Sequence, residues 1–403
     1  MIADQEIEKK ASEFNIRPPD VEKDYVHGWL LNGIYTQSRL RELLILKGGN
    51  ALRKGYLPNT RFSKDLDFSV AQGIDPSFLK QELGNVCDFV ERQTKVHFLQ
   101  DKSIVKDKEL PFGVDALEAR IYFRGFYGEE ALTLKAQVDI TQFDKIYLAV
   151  QDRSLLHPYS DANECLATVR CHKIEEILAS KLTTLLHRRK AIDLFDLLYS
   201  IVFRNEFPIN RLEVVATFLK KSIFEPYPHV AKSQLLALPL DEFKQLWSTI
   251  VAPVSSLMNC DYVVANFRSL IELLFGLMAQ PSITRLQSFG GAGRGVSLRA
   301  PGQPATAYAS PSYFSWDVRN AIVTAGRAGT LVEFVYRGWR RLVEPYKIQY
   351  YVRKKDGVGS EYFWGYDTTG GKTGPSLKSF FCDQIESARV TNIQFHPRAP
   401  IEL

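Results

Sequence analysis

The chain has 403 residues, 45% of them apolar and 24% charged, with a net charge of +5. At about 150 residues per domain this length predicts two to three domains, and so ordinary a composition excludes wholesale disorder and collagen-like order. The longest strongly apolar run, residues 271–279, falls far short of the roughly 20 residues that cross a bilayer. The start, MIADQEIEKK, lacks the apolar core of a secretory signal, so a soluble, cytoplasmic protein is expected. Five scattered cysteines, Cys87, Cys165, Cys171, Cys260 and Cys382, fit a reducing compartment rather than a disulfide framework. Cys165, Cys171 and His172 lack the second half of a zinc site. Residues 1–280 carry 35 basic and 37 acidic side chains, whereas residues 281–403 carry 16 and 9. A basic tail on a near-neutral body suits contact with a polyanion, and suits an ordinary solvated surface equally well.

In chain order, apolar spacing predicts a helix over residues 26–42, a short buried strand over 43–46 and a second strand over 62–70. A helix over 78–94 and strands over 119–126 and 131–141 follow, with 146–150 continuing the sheet. From His172 the pattern turns helical. Ile174, Leu178, Leu182 and Leu185 share one face, and further helices are expected over 194–203, 211–221, 240–251 and 262–278. This divides the chain into an α/β core over 1–150 and a helical domain over 151–280. Gly, Pro, Ser and Ala fill 18 of the 31 positions from Pro281 to Pro311, a composition expected of a flexible linker. Beyond it, residues 313–328 read as a helix, and 332–336, 346–352, 362–366 and 390–395 as short strands of a small β-barrel or sandwich over 312–403.

The segment from Leu46 to Val70, LKGGNALRKGYLPNTRFSKDLDFSV, carries the chemistry. Asp65 and Asp67 alternate with Leu66 and Phe68, so on a strand both carboxylates share one face about 6–7 Å apart while the apolar side chains enter the core. Two carboxylates so held suit Mg²⁺ on nucleotide phosphates. Lys47-Gly48-Gly49-Asn50 stands between a strand and a helical stretch, where glycine lets backbone N–H groups approach a triphosphate. Asp139 in Lys135-Ala136-Gln137-Val138-Asp139-Ile140 offers a third carboxylate on a neighbouring strand, either as base for an attacking hydroxyl or as a plain strand-end acid.

With these motifs, residues 25–200 resemble the AbiEii/AbiGii nucleotidyltransferase toxin family of the DNA polymerase β-like superfamily. The shared elements are the Lys-Gly-Gly turn, Arg61-Phe62-Ser63-Lys64-Asp65-Leu66-Asp67, a helical lysine at Lys181, and Ile192-Asp193-Leu194-Phe195-Asp196. Ile192 stands where the family usually has Arg, with Arg188, Arg189 and Lys190 close by. The resemblance implies an α/β nucleotidyltransferase core completed by a helical bundle, Mg²⁺ (or Mn²⁺) as cofactor and an NTP as substrate. It implies transfer of a nucleoside monophosphate to RNA, notably tRNA, blocking translation in toxin–antitoxin systems and phage defence, with a cognate antitoxin encoded nearby and no membrane partner. It assigns catalysis to Asp65, Asp67, Lys181 and Asp193, beside which Asp139 stands as the further catalytic candidate from its strand position, the metal to Asp65 and Asp67, and nucleotide binding to Gly48, Gly49, Asn50, Arg61, Ser63 and Asp196. Asp193 and Asp196, at i and i+3, share a helical face and would orient Lys181 or the nucleotide, or act as structural ion pairs.

The C-terminal stretches Val343-Glu344-Pro345, Glu361-Tyr362-Phe363-Trp364-Gly365-Tyr366-Asp367 and Lys378-Ser379-Phe380-Phe381-Cys382-Asp383-Gln384-Ile385 resemble WYL domains, Sm/SH3-like barrels that sense ligands, often nucleic acids. Glu361-Tyr362-Phe363 replaces the naming triplet. Arg353, Lys354 and Lys355, beside Tyr350 and Tyr351, offer charge and stacking surface for nucleic acid, or form a solvated hairpin tip. Two other functions compete: a catalytically silent regulator that binds ligand through this domain, and an adenylyltransferase acting on a small molecule.

Overall fold

The computed structural model describes residues 2–94, 96–110, 114–127, 132–188, 190–204, 207–222, 224–276, 313–352, 359–370 and 374–403. The chain opens with α1 (Asp4–Phe14), whose Ile7, Ala11 and Phe14 form a buried stripe. Next comes α2 (Pro18–Gln37), which starts eight residues before the expected position because two prolines open its first turn. β1 (Ile45–Lys47) leads into a helical turn, α3 (Gly48–Ala51), that widens into a π turn over Leu52–Tyr56. There follow β2 (Asp65–Ser69), α4 (Pro76–Thr94), β3 (Ile104–Leu110), β4 (Val114–Arg124), β5 (Thr133–Thr141), β6 (Gln151–Ser154) and β7 (Thr168–Cys171).

These strands make one mixed sheet in the order β3-β4-β5-β2-β1-β7-β6. β2 pairs parallel with β5 and antiparallel with β1, which places the two central strands of the site side by side. Leu66, Phe68, Val138 and Ile140 enter the core, while Asp67 and Asp139 project from the other face. Residues 146–150 do not continue the sheet as expected. The backbone N–H groups of Tyr147 and Leu148 donate to the Glu176 carboxylate instead (3.0 and 2.7 Å), and the strand begins only at Gln151.

The helical part comprises α5 (Ile174–Arg188), α6 (Ala191–Leu198) continuing into a π turn over Tyr199–Phe203, α7 (Arg211–Lys220), α8 (Pro228–Leu236), α9 (Asp241–Trp247) and α10 (Cys260–Gly276). The Phe62 N–H donates to the Val251 carbonyl (2.7 Å), tying the approach to β2 to this part.

After α11 (Trp316–Ala328), Gly329 closes the helix with φ +67, a left-handed cap that suits glycine. An antiparallel sheet follows: β8 (Thr330–Tyr336), β9 (Trp339–Val352), β10 (Gly359–Asp367), β11 (Ser376–Phe381) and β12 (Ile385–Gln394). The order is β11-β10-β9-β8-β12, and among the described residues no ladder joins its two ends. Among the described residues it is thus an open sheet capped by α11, where a small β-barrel or sandwich was expected. Val332, Phe334, Phe363 and Phe380 pack with Ile322 of α11 in its core. The other side meets the front of the molecule. Tyr346 and Leu377 join the main core, and His187 Nδ1 donates to the Leu377 carbonyl (3.2 Å). The expected linker over 281–311 and Arg353, Lys354 and Lys355 lie outside the described residues. Among the described residues no helix is long and apolar enough to cross a membrane, and all five cysteines are free thiols.

Candidate active site

Strand register lays the site out as a row. Asp67 of β2 pairs with Asp139 of β5 on one side and Lys47 of β1 on the other, and Asp139 pairs in turn with Glu118 of β4. Asp65, two residues before Asp67, shares its face beside Gln137. The row floors a cleft of about 1240 Å³ that Gly48, Gly49, Arg61 and Ser63 also line, with Lys181, Arg188 and Ile192 on the opposite wall.

The glycines are there for space as well as conformation. Gly48 has φ +71, and a Cβ on it would lie 2.7 Å from Asp67 Oδ2. A Cβ on Gly49 would lie 2.7 Å from both Arg61 Nη2 and Ser63 Oγ. Gly48→Ala should therefore cost about 1–2 kcal/mol for its left-handed backbone and push Asp67 out of line, and a displacement near 1 Å reduces catalysis by about 10²-fold. Thermal melts beside nucleotidyl-transfer rates check this: full activity in Gly48→Ala would show that the turn tolerates a side chain. Asn50 is placed differently from the other motif residues. It is fully buried away from the cleft, and its Nδ2 donates to the Asp65 carbonyl (2.8 Å), bracing β2 from behind.

The carboxylates are strongly perturbed. Burial pushes Asp67 up to about 6, helped by Asp65 and Asp139 and opposed chiefly by Lys47. Burial, then Asp139, also raises Asp65. Asp139 itself is clamped: Lys108 Nζ donates to its Oδ1 (2.9 Å) and Gln137 Nε2 to its Oδ2 (2.9 Å).

On the far wall, Lys181 of α5 reaches Asp193 Oδ1 (3.0 Å) and Asp196 Oδ2 (2.7 Å) of α6. Asp196 also receives both arms of Arg61 (2.7 and 2.8 Å), and Asp193 receives Arg188 (3.0 Å to each oxygen). Burial alone would raise Asp193, but Lys181 and Arg188 hold it well below the usual carboxylate range. Of the roles open to this pair, the structure shows buried ion pairs that fix Lys181 and Arg61. Ile192 lines the cleft without a charge, and Arg188, at the end of α5, brings a guanidinium to Asp193 beside it.

A second polar layer escaped the sequence reading. Lys47 Nζ binds Asp144 (2.7 Å) and Thr141 (2.8 Å), Ser69 donates to Asp144 (2.5 Å), and His172 Nε2 lies 2.9 Å from Ser69 Oγ. With its one proton given to Asp144, Ser69 can only accept from His172. That agrees with a neutral imidazole, pushed down to about 3 by burial and by Lys47 and Lys221. Asp144, against its burial, is held at about 2 by Lys47 and Ser69. Lys47, inside the glycine motif, was the one signal of this layer. Its partners come from segments far away in sequence.

Asp65 and Asp67 are hard oxygen donors on one strand face, beside two glycines that carry no side chain of their own, and this donor set fits Mg²⁺ shared with nucleotide phosphates. Among the described residues no three Asp, Glu, His or Cys side chains cage an ion by themselves.

The fold is similar to that of the nucleotidyltransferase toxin MenT4 from Mycobacterium tuberculosis, with 19% identity, coverage of 69% of this chain and 91% of that one, and a TM-score of 0.48. It is also similar to JHP933 from Helicobacter pylori, with 17% identity, coverage of 64% and 92%, and a TM-score of 0.39. Among curated proteins none matches the chain. The family described as nucleotidyl transferase AbiEii toxin, type IV toxin–antitoxin system, matches residues 29–257, more than half of the chain and nearly all of the cleft. The chain belongs to the AbiEii nucleotidyltransferase toxin family.

Proposed function

We propose that this toxin transfers a nucleoside monophosphate from an NTP to a hydroxyl of RNA, tRNA foremost, in a Mg²⁺-dependent reaction that blocks translation during phage defence, under the control of a cognate antitoxin. The observation that carries the reading is the Asp65–Asp67 pair facing a cleft that Gly48 and Gly49 also line. Asp65 and Asp67 would hold a divalent ion, which when bound would neutralise triphosphate oxygens and leave the α-phosphorus more electrophilic. Gly48, Gly49 and Ser63 contact the phosphates, and Lys181, steadied by Asp193 and Asp196, faces the charge that builds on the leaving group. The acceptor oxygen bonds to the α-phosphorus and the α–β bridging P–O bond breaks. Pyrophosphate departs with that electron pair, and the hydroxyl proton passes to Asp139.

The RNA acceptor is supported by the cations around the cleft. Lys64 and Lys190 line it besides the residues already in ion pairs with the site's acids, and Arg17 and Lys23 line it together with Asp20, with which they pair (3.3 and 3.8 Å). Such a rim favours a polyanion over a neutral small molecule. The division at 1–150, 151–280 and 312–403 is part of the same reading, since Lys181, Asp193 and Asp196 come from the second segment to complete a site begun in the first. The C-terminal sheet, with Arg353, Lys354 and Lys355, is the sensing element for a nucleic-acid ligand.

The test is incubation of the purified protein with Mg²⁺, each α-labelled NTP in turn and total tRNA. Label should appear on RNA and vanish in Asp65→Ala and Asp67→Ala. No transfer with any NTP would overturn the reading, and label on an added aminoglycoside instead of RNA would move the acceptor to a small molecule.

A further inference from the structure

We propose that Lys108 is a built-in second cation of the site, so that a single divalent ion serves the reaction. The inference rests on the transferase reading above. Phosphoryl-transfer sites with two ions place them about 3.5–4 Å apart, one on the leaving side and one where the attacking oxygen meets a shared carboxylate. Here the carboxylate in that second position is Asp139, next to Asp67 in register.

The ground beside Asp139 is already taken by an ammonium group. Lys108 Nζ stands 2.9 Å from Asp139 Oδ1 and 3.3 Å from Glu118 Oε2, and Lys108 lines the cleft. It bridges carboxylates from two strands, as an ion would. The sheet is built to deliver it. Lys108 lies on the edge strand β3 opposite Ala116, whose small side chain leaves the path to Asp139 open. Glu118, the second anchor, is buried and is itself steadied by Arg120 (2.6 Å) and Lys106 (3.4 Å). Gln137 donates to the other oxygen of Asp139, and each oxygen keeps a second lone pair that can take a proton. An ammonium has three donors and only part of this set uses them. Lys108 therefore has a donor for the attacking oxygen as negative charge develops there, while the proton of that hydroxyl goes to Asp139 and pyrophosphate leaves with the electron pair of the broken P–O bond.

The experiment measures Mn²⁺ bound by the full-length chain by electron paramagnetic resonance, with the α,β-methylene analogues of ATP, GTP, CTP and UTP, in wild type, Lys108→Met and Lys108→Arg. Wild type and Lys108→Arg should bind a single nucleotide-dependent ion. Lys108→Met, in which the position is vacated, should take up a second ion, and its transfer rate at low Mg²⁺ should fall by about 10²–10³-fold. Two ions in wild type, or an unchanged single ion in Lys108→Met, would overturn the assignment of Lys108 while leaving the transferase reading intact. No nucleotide-dependent ion in wild type with any analogue would overturn that reading, and this inference with it.

Discussion

Asp67→Asn should lower nucleotidyl transfer by ~10³-fold or more, about 4 kcal/mol of barrier, without loosening the fold. The side chain keeps its shape but loses the charge that the proposed reaction needs to hold a metal-bound triphosphate, and no neighbouring carboxylate stands ready to replace it: Asp139 already accepts from Lys108 and Gln137. Stability should move the other way. Burial lifts Asp67 from 3.8 to about 6, so the folded protein holds this proton more tightly than the unfolded chain does. Its favourable contribution is complete below the ordinary carboxylate value and is lost as pH climbs through about 6. In metal-free buffer, Asn at this position should therefore gain on wild type between roughly pH 4 and pH 7. Urea melts at the two ends of that window, run beside transfer assays, check both halves. If the two proteins keep a constant stability difference, Asp67 is better hydrated than its surroundings suggest.

Asp196→Ala should be the most destabilising single change in the site. The carboxylate is 1% exposed and holds both arms of Arg61 and the ammonium of Lys181. Removing it strands two buried cations, and breaking such a pair costs about 3–5 kcal/mol. For a domain of this size that is a fall in melting temperature of roughly 10 °C. Asp196→Asn, which keeps acceptor capacity through its amide oxygen, should recover part of the loss. Transfer should fall in both variants because Lys181 loses one of its two anchors. A melting temperature within a degree or two of wild type in Asp196→Ala would mean that water reaches and solvates Arg61 and Lys181.

The legible half of this site is the half whose chemistry lies within one element. Arg61 to Asp67 could be read because alternation along a strand puts both carboxylates on one face, and Asp193 and Asp196 because a spacing of three does the same on a helix. What these last two side chains face, Arg61 and Lys181, is a tertiary fact. Asn50 shows the limit of a motif: its place in the glycine turn suggested a phosphate contact, whereas the fold turns it inward to brace β2. Lys108 was invisible because Ile104–Leu110 reads IVKDKEL, a charged run without the apolar alternation that marks a strand, and β3 needs little of it at a sheet edge. Lys47, Asp144, Ser69 and His172 meet only when β1, β2 and the chain beyond β5 and β7 come together. The missed α1 is another matter, since Ile7, Ala11 and Phe14 carry a helical stripe that was there to be read. Sheet closure at the C-terminus is set by strand tilt and stagger, and strand-forming segments alone do not encode these.

Leu377 and Tyr346, on the C-terminal sheet, are buried in the same core as the transferase helices, and Leu186 and His187 meet that sheet just five or six residues after Lys181 on α5. At 1.5 Å per helical residue, Lys181 sits roughly 8 Å along the axis from this seam. The tail is thus part of the mounting of Lys181. Severing the chain between Gly276 and Tyr313 and separating the pieces would bare a greasy scar on α5. A molecule that grips the tail hard enough to shift its seating would tug on the same rod that aims Lys181 into the cleft.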